Sequence, residues 1–308
     1  MQGRPYPIAA AIALLVGSPA AQAAEDKPVV YTTFYPTEYF AERIGGDLVQ
    51  VRNPVPENAD PIFWEPSREN LQAYQEADLI ILNGAGFEKW VEQATLPEDR
   101  IVDTAAPFED EFIQYEQAIT HSHGSAGEHS HEGLDGHTWL DPMHAKIQAA
   151  EIKDALAARY PDRAEAFEQG YAALAADLDQ IDQALARYQE SYDGKPFFAS
   201  HPAYNYIARR YEWNVDNLDL DPEEMPDDET FTEIKERMAH HPAEYIVWEG
   251  EPTPEVAERF REELGLESIT FSPAELLSGE QRAAGVDYLD VMKENLERIE
   301  PIFKAESS

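Results

Sequence analysis

Two rhythms of apolar residues alternate along this chain. Short β-type runs occur at Pro28–Thr33, Leu48–Val55, Ala77–Leu82 and Ile101-Val102, then again at Lys195–Ala199, Asn214–Leu220, Glu244–Trp248 and Ser268–Phe271. Amphipathic stretches with helical spacing lie between them: Thr37–Ile44, Ser67–Gln75 with Ser67 as N-cap, Phe87–Gln93, Ala203–Tyr211, Asp228–Ala239, Pro254–Leu264 and Asp287–Phe303. Strands alternating with helices predict parallel β-sheet in an α/β layer. The middle of the chain differs. A helix over Pro142–Arg159 is interrupted at Tyr160-Pro161, where proline removes a helical hydrogen bond. Ala164, Phe167, Tyr171, Leu174, Leu178, Ile181, Leu185 and Tyr188 follow at helical spacing in one continuous apolar seam. This predicts a helix over 162–191, roughly 45 Å long at about 1.5 Å per residue. Alone, such a seam suits a coiled coil; between two α/β halves it reads as a rigid strut. The predicted fold is therefore two α/β lobes with parallel sheets bridged by one long rigid helix. The N-terminal lobe covers 24–160, the connecting helix 161–192 and the C-terminal lobe 193–308. Ligand sites commonly form between such lobes.

Two segments stand outside these rhythms. Residues 107–136 are polar, rich in Gly, Ser and His, and without periodicity, so they read as a long exposed loop. At the N-terminus, Arg4 precedes the ten-residue apolar run Ile8–Gly17, and Ala21-Gln22-Ala23 has the form of a cleavage site. Residues 1–23 thus read as a secretory signal, too short for a membrane span. The mature protein is expected to start near Ala24 and to be exported, soluble and periplasmic.

Charge changes this picture in one respect. Of 308 residues, 61 are Asp or Glu and 23 Lys or Arg, a net charge of −38 that becomes −39 once Arg4 leaves with the signal. Only 8 of the basic residues are Lys. Phosphate binding needs a basic face, so nucleic acid and anionic membranes are disfavoured partners. The acidity reads mainly as adaptation to external salt, which screens the self-repulsion of such a surface. Gathering cations for a function is the rival reading. Cysteine is absent, which excludes thiolate metal sites, cysteine nucleophiles and a lipid anchor attached through cysteine.

Any transition-metal site must then rest on imidazole and carboxylate. His121, His123, His129, His131, His137 and His144 fall within 24 positions; His201 stands alone and His240-His241 are paired. His121-Ser122-His123 and His129-Ser130-His131 are two H-x-H units, and in an extended chain alternate residues point the same way. Each pair is a candidate for metal capture by the loop, against the plainer reading of a solvated polar segment. His137 lies at the loop's exit, before a helix that Asp141 is placed to cap. His201 follows an apolar strand, where ligand-facing residues of α/β lobes sit. On spacing alone either suits a structural or a ligating role. His240-His241 reads as a helix C-terminal pair, and His144 as a surface residue of a helical first turn.

Several separated motifs resemble the solute-binding proteins of zinc and manganese ABC transporters, the zinc-uptake branch above all. They include Thr32-Thr33-Phe34-Tyr35-Pro36, Ile44-Gly45-Gly46-Asp47, Asp60-Pro61 with Trp64-Glu65-Pro66-Ser67, Asn83-Gly84-Ala85-Gly86, His137-Thr138-Trp139-Leu140-Asp141-Pro142 and Ser200-His201 with Ala208-Arg209-Arg210-Tyr211. The resemblance covers nearly all of the mature chain and implies the same two-lobed fold. It implies that His137 and His201 are metal ligands, one from each lobe. A histidine at the second position favours zinc over manganese, in keeping with imidazole chemistry. One departure matters: where the family carries its first histidine, this chain has Ile62, which cannot bind metal. Glu65, Asp60, water or a loop histidine are candidates to complete the shell, with Asp287 a weaker one.

The resemblance implies a monomeric periplasmic protein that captures Zn2+ between its lobes and delivers it to an ABC permease and its ATPase, without making or breaking covalent bonds. Affinity is expected to fall below about pH 6.5, where free histidine protonates. Two other readings compete with it. One is a periplasmic zinc buffer working through the His-rich loop. The other is a zinc-dependent hydrolase with Glu65 as base, though no H-E-x-x-H motif is present.

Overall fold

The computed structural model describes residues 27–57, 59–115, 119–122, 128–131 and 133–304. Residues 1–23, read above as a secretory signal, and His123 lie outside the described residues. The first half contains β1 (Val29–Thr32), α1 (Tyr35–Gly45), β2 (Gln50–Arg52), α2 (Arg68–Glu76), β3 (Leu79–Leu82) and β4 (Ile101–Asp103). A short hairpin, β5 (Ile119–Ser122) and β6 (Glu128–His131), precedes α3 (Pro142–Arg159) and the long α4 (Ala164–Ser191). The second half contains β7 (Phe197–Ala199), α5 (Asn205–Tyr211), β8 (Val215–Asn217), α6 (Asp228–Met238), β9 (Tyr245–Trp248), α7 (Pro254–Leu264), β10 (Glu267–Thr270), α8 (Gly279–Ala284) and α9 (Tyr288–Phe303).

The two four-stranded sheets are wholly parallel, ordered β2-β1-β3-β4 and β10-β9-β7-β8. Numbered within its own half, each sheet has the same order, 2-1-3-4. Each therefore has one switch point where successive connections leave to opposite sides, between β1 and β3 and between β7 and β9. Crevices outside the carboxyl ends of such strands are where open α/β sheets bind ligands. β3 is buried along its whole length, as a strand covered on both faces must be.

The seam read from the sequence is the buried side of α4: Phe167, Leu174, Leu178, Ile181 and Leu185 are all inside. α4 packs on α1, α3 and α9. One continuous core runs from Val30 and Phe40 through this seam to Phe197, Phe271 and Phe303. Close approach is secured by Gly170, where a Cβ would stand 2.6 Å from the Ile44 carbonyl oxygen and 2.8 Å from that of Arg43. Among the described residues no helix is long and apolar enough to cross a membrane.

The segment 107–136 is not the single structureless loop that its composition suggests. A 3-10 turn spans Ala106–Glu111 with Phe108 buried, Gln114 bridges to Leu134, and β5 pairs antiparallel with β6. Cross-strand register places His121 opposite His129. Runs of His, Ser and Glu carry no apolar alternation, so periodicity has nothing to register there.

Candidate metal site

The cleft residues are built outward from strand ends. Beyond β3, Asn83 and Gly84 make a turn that needs positive φ at Gly84 (+83°), and a Cβ there would collide with the Asp103 carboxylate. Glu88 closes the turn from inside, accepting hydrogen bonds from the Asn83 and Gly84 amides at 2.6 and 3.2 Å and from Thr33 Oγ1 at 2.5 Å. Burial raises the Glu88 carboxyl to a pKa of about 7, with these hydrogen bonds opposing the rise. Asn83 then reaches across to the next segment. Its Nδ2 donates to the Gly136 carbonyl at 2.8 Å, and its Oδ1 accepts from Thr138 Oγ1 at 3.1 Å and Gln148 Nε2 at 2.9 Å. The residues on both sides of His137 are clamped by this one amide.

His137 itself is 1% exposed. Asp135 Oδ1 accepts from its backbone N–H at 3.0 Å and lies 2.8 Å from its Nδ1. Asp135 is fixed in turn by Asn205 Nδ2 on its other oxygen at 2.9 Å and by Tyr206 Oη on its carbonyl at 2.9 Å, both from α5. A carboxylate on Nδ1 sets the tautomer of a metal-binding histidine and leaves Nε2 as the ligating atom. Nε2 of His137 lies 3.2 Å from Glu275 Oε1. Burial works against the charged imidazole, but Asp135 and Glu275 overcome it and hold the His137 pKa up at about 10.

Glu275 belongs to the loop after β10, in the second half of the chain. That loop is tied down by Trp139 Nε1 donating to the Pro273 carbonyl at 2.7 Å, by the Asn295 amide bracketing Ser272, and by the Tyr35 amide on the Glu275 carbonyl. Sequence reading missed Glu275, because it sits in an irregular loop with no periodic signal.

His201 emerges from β7 and is 5% exposed. Its ring centroid is 5.4 Å from that of His137, edge to face. Its Nδ1 lies 3.5 Å from Glu249 Oε2. Glu249 follows β9 and was also missed, although an acid directly after an apolar strand carries the same signal that pointed to His201. Burial pushes the Glu249 carboxyl well up, and among charges Glu275 adds most, then Asp60; His137 opposes them. Among the described residues no three His, Asp or Glu side chains already converge on one point. The donors instead stand as two pairs, His137 with Glu275 and His201 with Glu249.

The other candidates fall elsewhere. Asp60 reaches the cleft through its charge on Glu249, while its Oδ1 accepts the Ile62 amide at 2.9 Å. Ile62 is buried in the core. Glu65 is exposed on the turn before α2. Asp287 is the N-cap of α9, accepting from the Asp290 amide at 3.0 Å and from Tyr39 Oη at 3.1 Å. A carboxylate so engaged has fewer lone pairs left to offer an ion. His144 is not a surface residue. It is 1% exposed, stacked on Phe108 at 4.2 Å and set between Asp141 and Glu111. Its partner Phe108 comes from the segment read as loop, so helix position alone gave no warning of burial. His241 Nε2 meets the Phe197 carbonyl at 2.9 Å, a structural contact. His121, His129 and His131 lie on the hairpin, with only their backbone described.

This arrangement has relatives. The chain is 30% identical to the zinc-binding lipoprotein AdcA of Streptococcus pneumoniae over 281 residues, covering 90% of this chain and 56% of AdcA, so it spans about half of that protein. It is 29% identical to the high-affinity zinc uptake system protein ZnuA of Bacillus subtilis, covering 89% of this chain and 87% of that one. Among solved structures it resembles the metal-dependent lipoprotein YcdH of B. subtilis (TM-score 0.78, 25% identity, 91% and 100% covered). The Zn(II)-bound ZnuA-like domain of S. pneumoniae AdcA gives TM-score 0.78 at 26% identity, covering 91% and 100%. The sequence model of the periplasmic zinc-uptake complex component A, ZnuA, matches residues 30–301, and this chain belongs to that family.

Proposed function

We propose that this protein is the solute-binding component of a zinc ABC transporter. It captures Zn2+ in the cleft between His137 and His201 and passes it to a membrane permease driven by its ATPase. The observation that carries this reading is the meeting of two buried imidazoles from different halves of the chain, 5.4 Å apart, each facing a carboxylate. A divalent ion would exchange each nitrogen–oxygen contact for bonds to a shared centre, relieving the repulsion between Glu249 and Glu275. Imidazole with carboxylate suits zinc better than calcium or magnesium. Capture and release make no covalent change, so the role is transport rather than catalysis. The protein acts outside the cytoplasmic membrane, exported by residues 1–23; AdcA of S. pneumoniae is named a lipoprotein, and mass spectrometry of the exported chain decides whether this one carries lipid.

A second reading, a zinc buffer working through the hairpin, is favoured by the register that sets His121 opposite His129. Zinc titration of the mature chain separates the two. Under the transport reading, His137→Ala or His201→Ala abolishes one tight site and deletion of residues 121–131 leaves it intact. Loss of all tight binding on that deletion would favour the buffer.

A further inference from the structure

We propose that Glu249 supplies the donor missing at Ile62, so that the cargo ion is held by two imidazoles and two carboxylates: His137, His201, Glu249 and Glu275. This rests on the reading of the cleft as a metal site given above. The first argument is register. Ala199 of β7 pairs with Val247 of β9, so His201 and Glu249, each two residues further on, leave neighbouring strands side by side at the switch point. Their side chains meet at 3.5 Å.

The second argument is charge. Glu275 is the strongest charged neighbour of Glu249, ahead of Asp60 and His137. A buried carboxylate beside another like charge resists ionisation, and a cation bound by both removes that cost. Both remain reachable, at 17% and 19% side-chain exposure.

The third argument is position. Asp60 holds the Ile62 amide and also acts on Glu249, so the segment that lacks its histidine approaches this same carboxylate. The competing role for Glu249 is to orient His201 through Nδ1, as Asp135 does for His137. At 3.5 Å against 2.8 Å, the contact is too long for a comparable hydrogen bond. An oxygen-richer donor set also narrows the preference for zinc over manganese relative to a three-histidine site.

Competition titration with zinc alone as the probe compares the mature chain with Glu249→Gln and with Glu249→Gln/Ile62→His. The single variant is expected to lose at least about tenfold in affinity, and the added histidine to recover most of it. A smaller loss, or one that Ile62→His does not recover, would overturn the assignment. A crystal structure of the zinc-loaded wild type reads the point without any variant. A Glu249 oxygen about 2.0–2.2 Å from the metal is expected; Glu249 resting on His201 Nδ1, with another donor in its place, sinks the proposal. Failure of the wild type to bind zinc at all would instead refute the metal-site reading itself.

Discussion

Asp135 holds His137 at two points with one oxygen, its Oδ1 lying 3.0 Å from the backbone nitrogen and 2.8 Å from Nδ1. The imidazole is therefore held in a fixed orientation without any metal. Asp135→Asn keeps the shape but removes the charge that makes Nε2 a strong donor. Zinc affinity is expected to fall about 10- to 100-fold with little change in fold, as outer-shell carboxylates of metal-bound histidines typically show. An unchanged dissociation constant would mean that His137 is not a ligand.

The raised pKa of His137 moves the expected pH dependence. Free histidine would compete with protons only below about pH 6.5. With its pKa held up at about 10, metal-free His137 is expected to carry a proton at neutral pH, and a metal bound there would have to displace it. Apparent affinity should climb between pH 7 and 9, and calorimetry in buffers of different ionisation enthalpy should detect proton release. A flat profile above pH 7 contradicts this. Stability runs the other way. A group whose pKa is raised on folding contributes fully below its unfolded value, and the contribution is lost as pH rises through the folded one. His137, between about 6.5 and 10, and Glu88, between about 4.5 and 7, both act in this sense. Thermal melts of the metal-free protein should therefore show these contributions declining from acidic to alkaline pH.

Arg210 of α5 meets Asp141 at 2.5 Å, and Asp141 is the N-cap of α3, accepting from the Met143 amide at 2.9 Å. Asp141 is buried, whereas Arg210 is a third exposed. Arg210→Ala leaves that buried carboxylate with the Met143 amide and His144 but without the guanidinium charge. Discounted for the exposure of the arginine, the cost should be about 1–3 kcal/mol, read as a lowered denaturation midpoint. A shift within about 0.5 kcal/mol would show that the pair contributes nothing.

With a net charge of −38, the protein is expected to be stabilised by salt. Raising KCl from about 0.1 to about 2 M shrinks the Debye length from about 10 Å to below about 3 Å and should raise the melting temperature by on the order of 5 °C or more. A fall in melting temperature would remove salt adaptation as the meaning of the acidity.

Much of the architecture was legible because it is written in period. The three-and-four seam from Phe167 to Leu185 specifies one face of one helix, and burial of that face in the structure follows directly. Apolar runs such as Leu79–Leu82 specify buried parallel strands for the same reason. His137 and His201 were legible as candidates because each stands at the boundary of a recognisable element. Other features depend on contacts between distant segments. His144 is buried because Phe108 and Tyr206, both distant in sequence, pack against it, and Asp287 is a cap only because α9 begins there.

By itself the sequence determined the alternation of strand and helix, the long central helix, the reliance on imidazole and carboxylate, and the gap at Ile62. Tertiary structure alone decided which carboxylates face those imidazoles. Glu249 comes beside His201 through the register of β7 on β9, and Glu275 reaches His137 from a loop 138 positions further along the chain. Glu249 shows in the sequence only as an acid directly after an apolar strand, and Glu275 sits in an irregular loop that gives no periodic signal. Periodicity reports only which side of an element is buried, whereas a metal site is made by side chains that chain folding, not sequence neighbourhood, brings within a few ångströms.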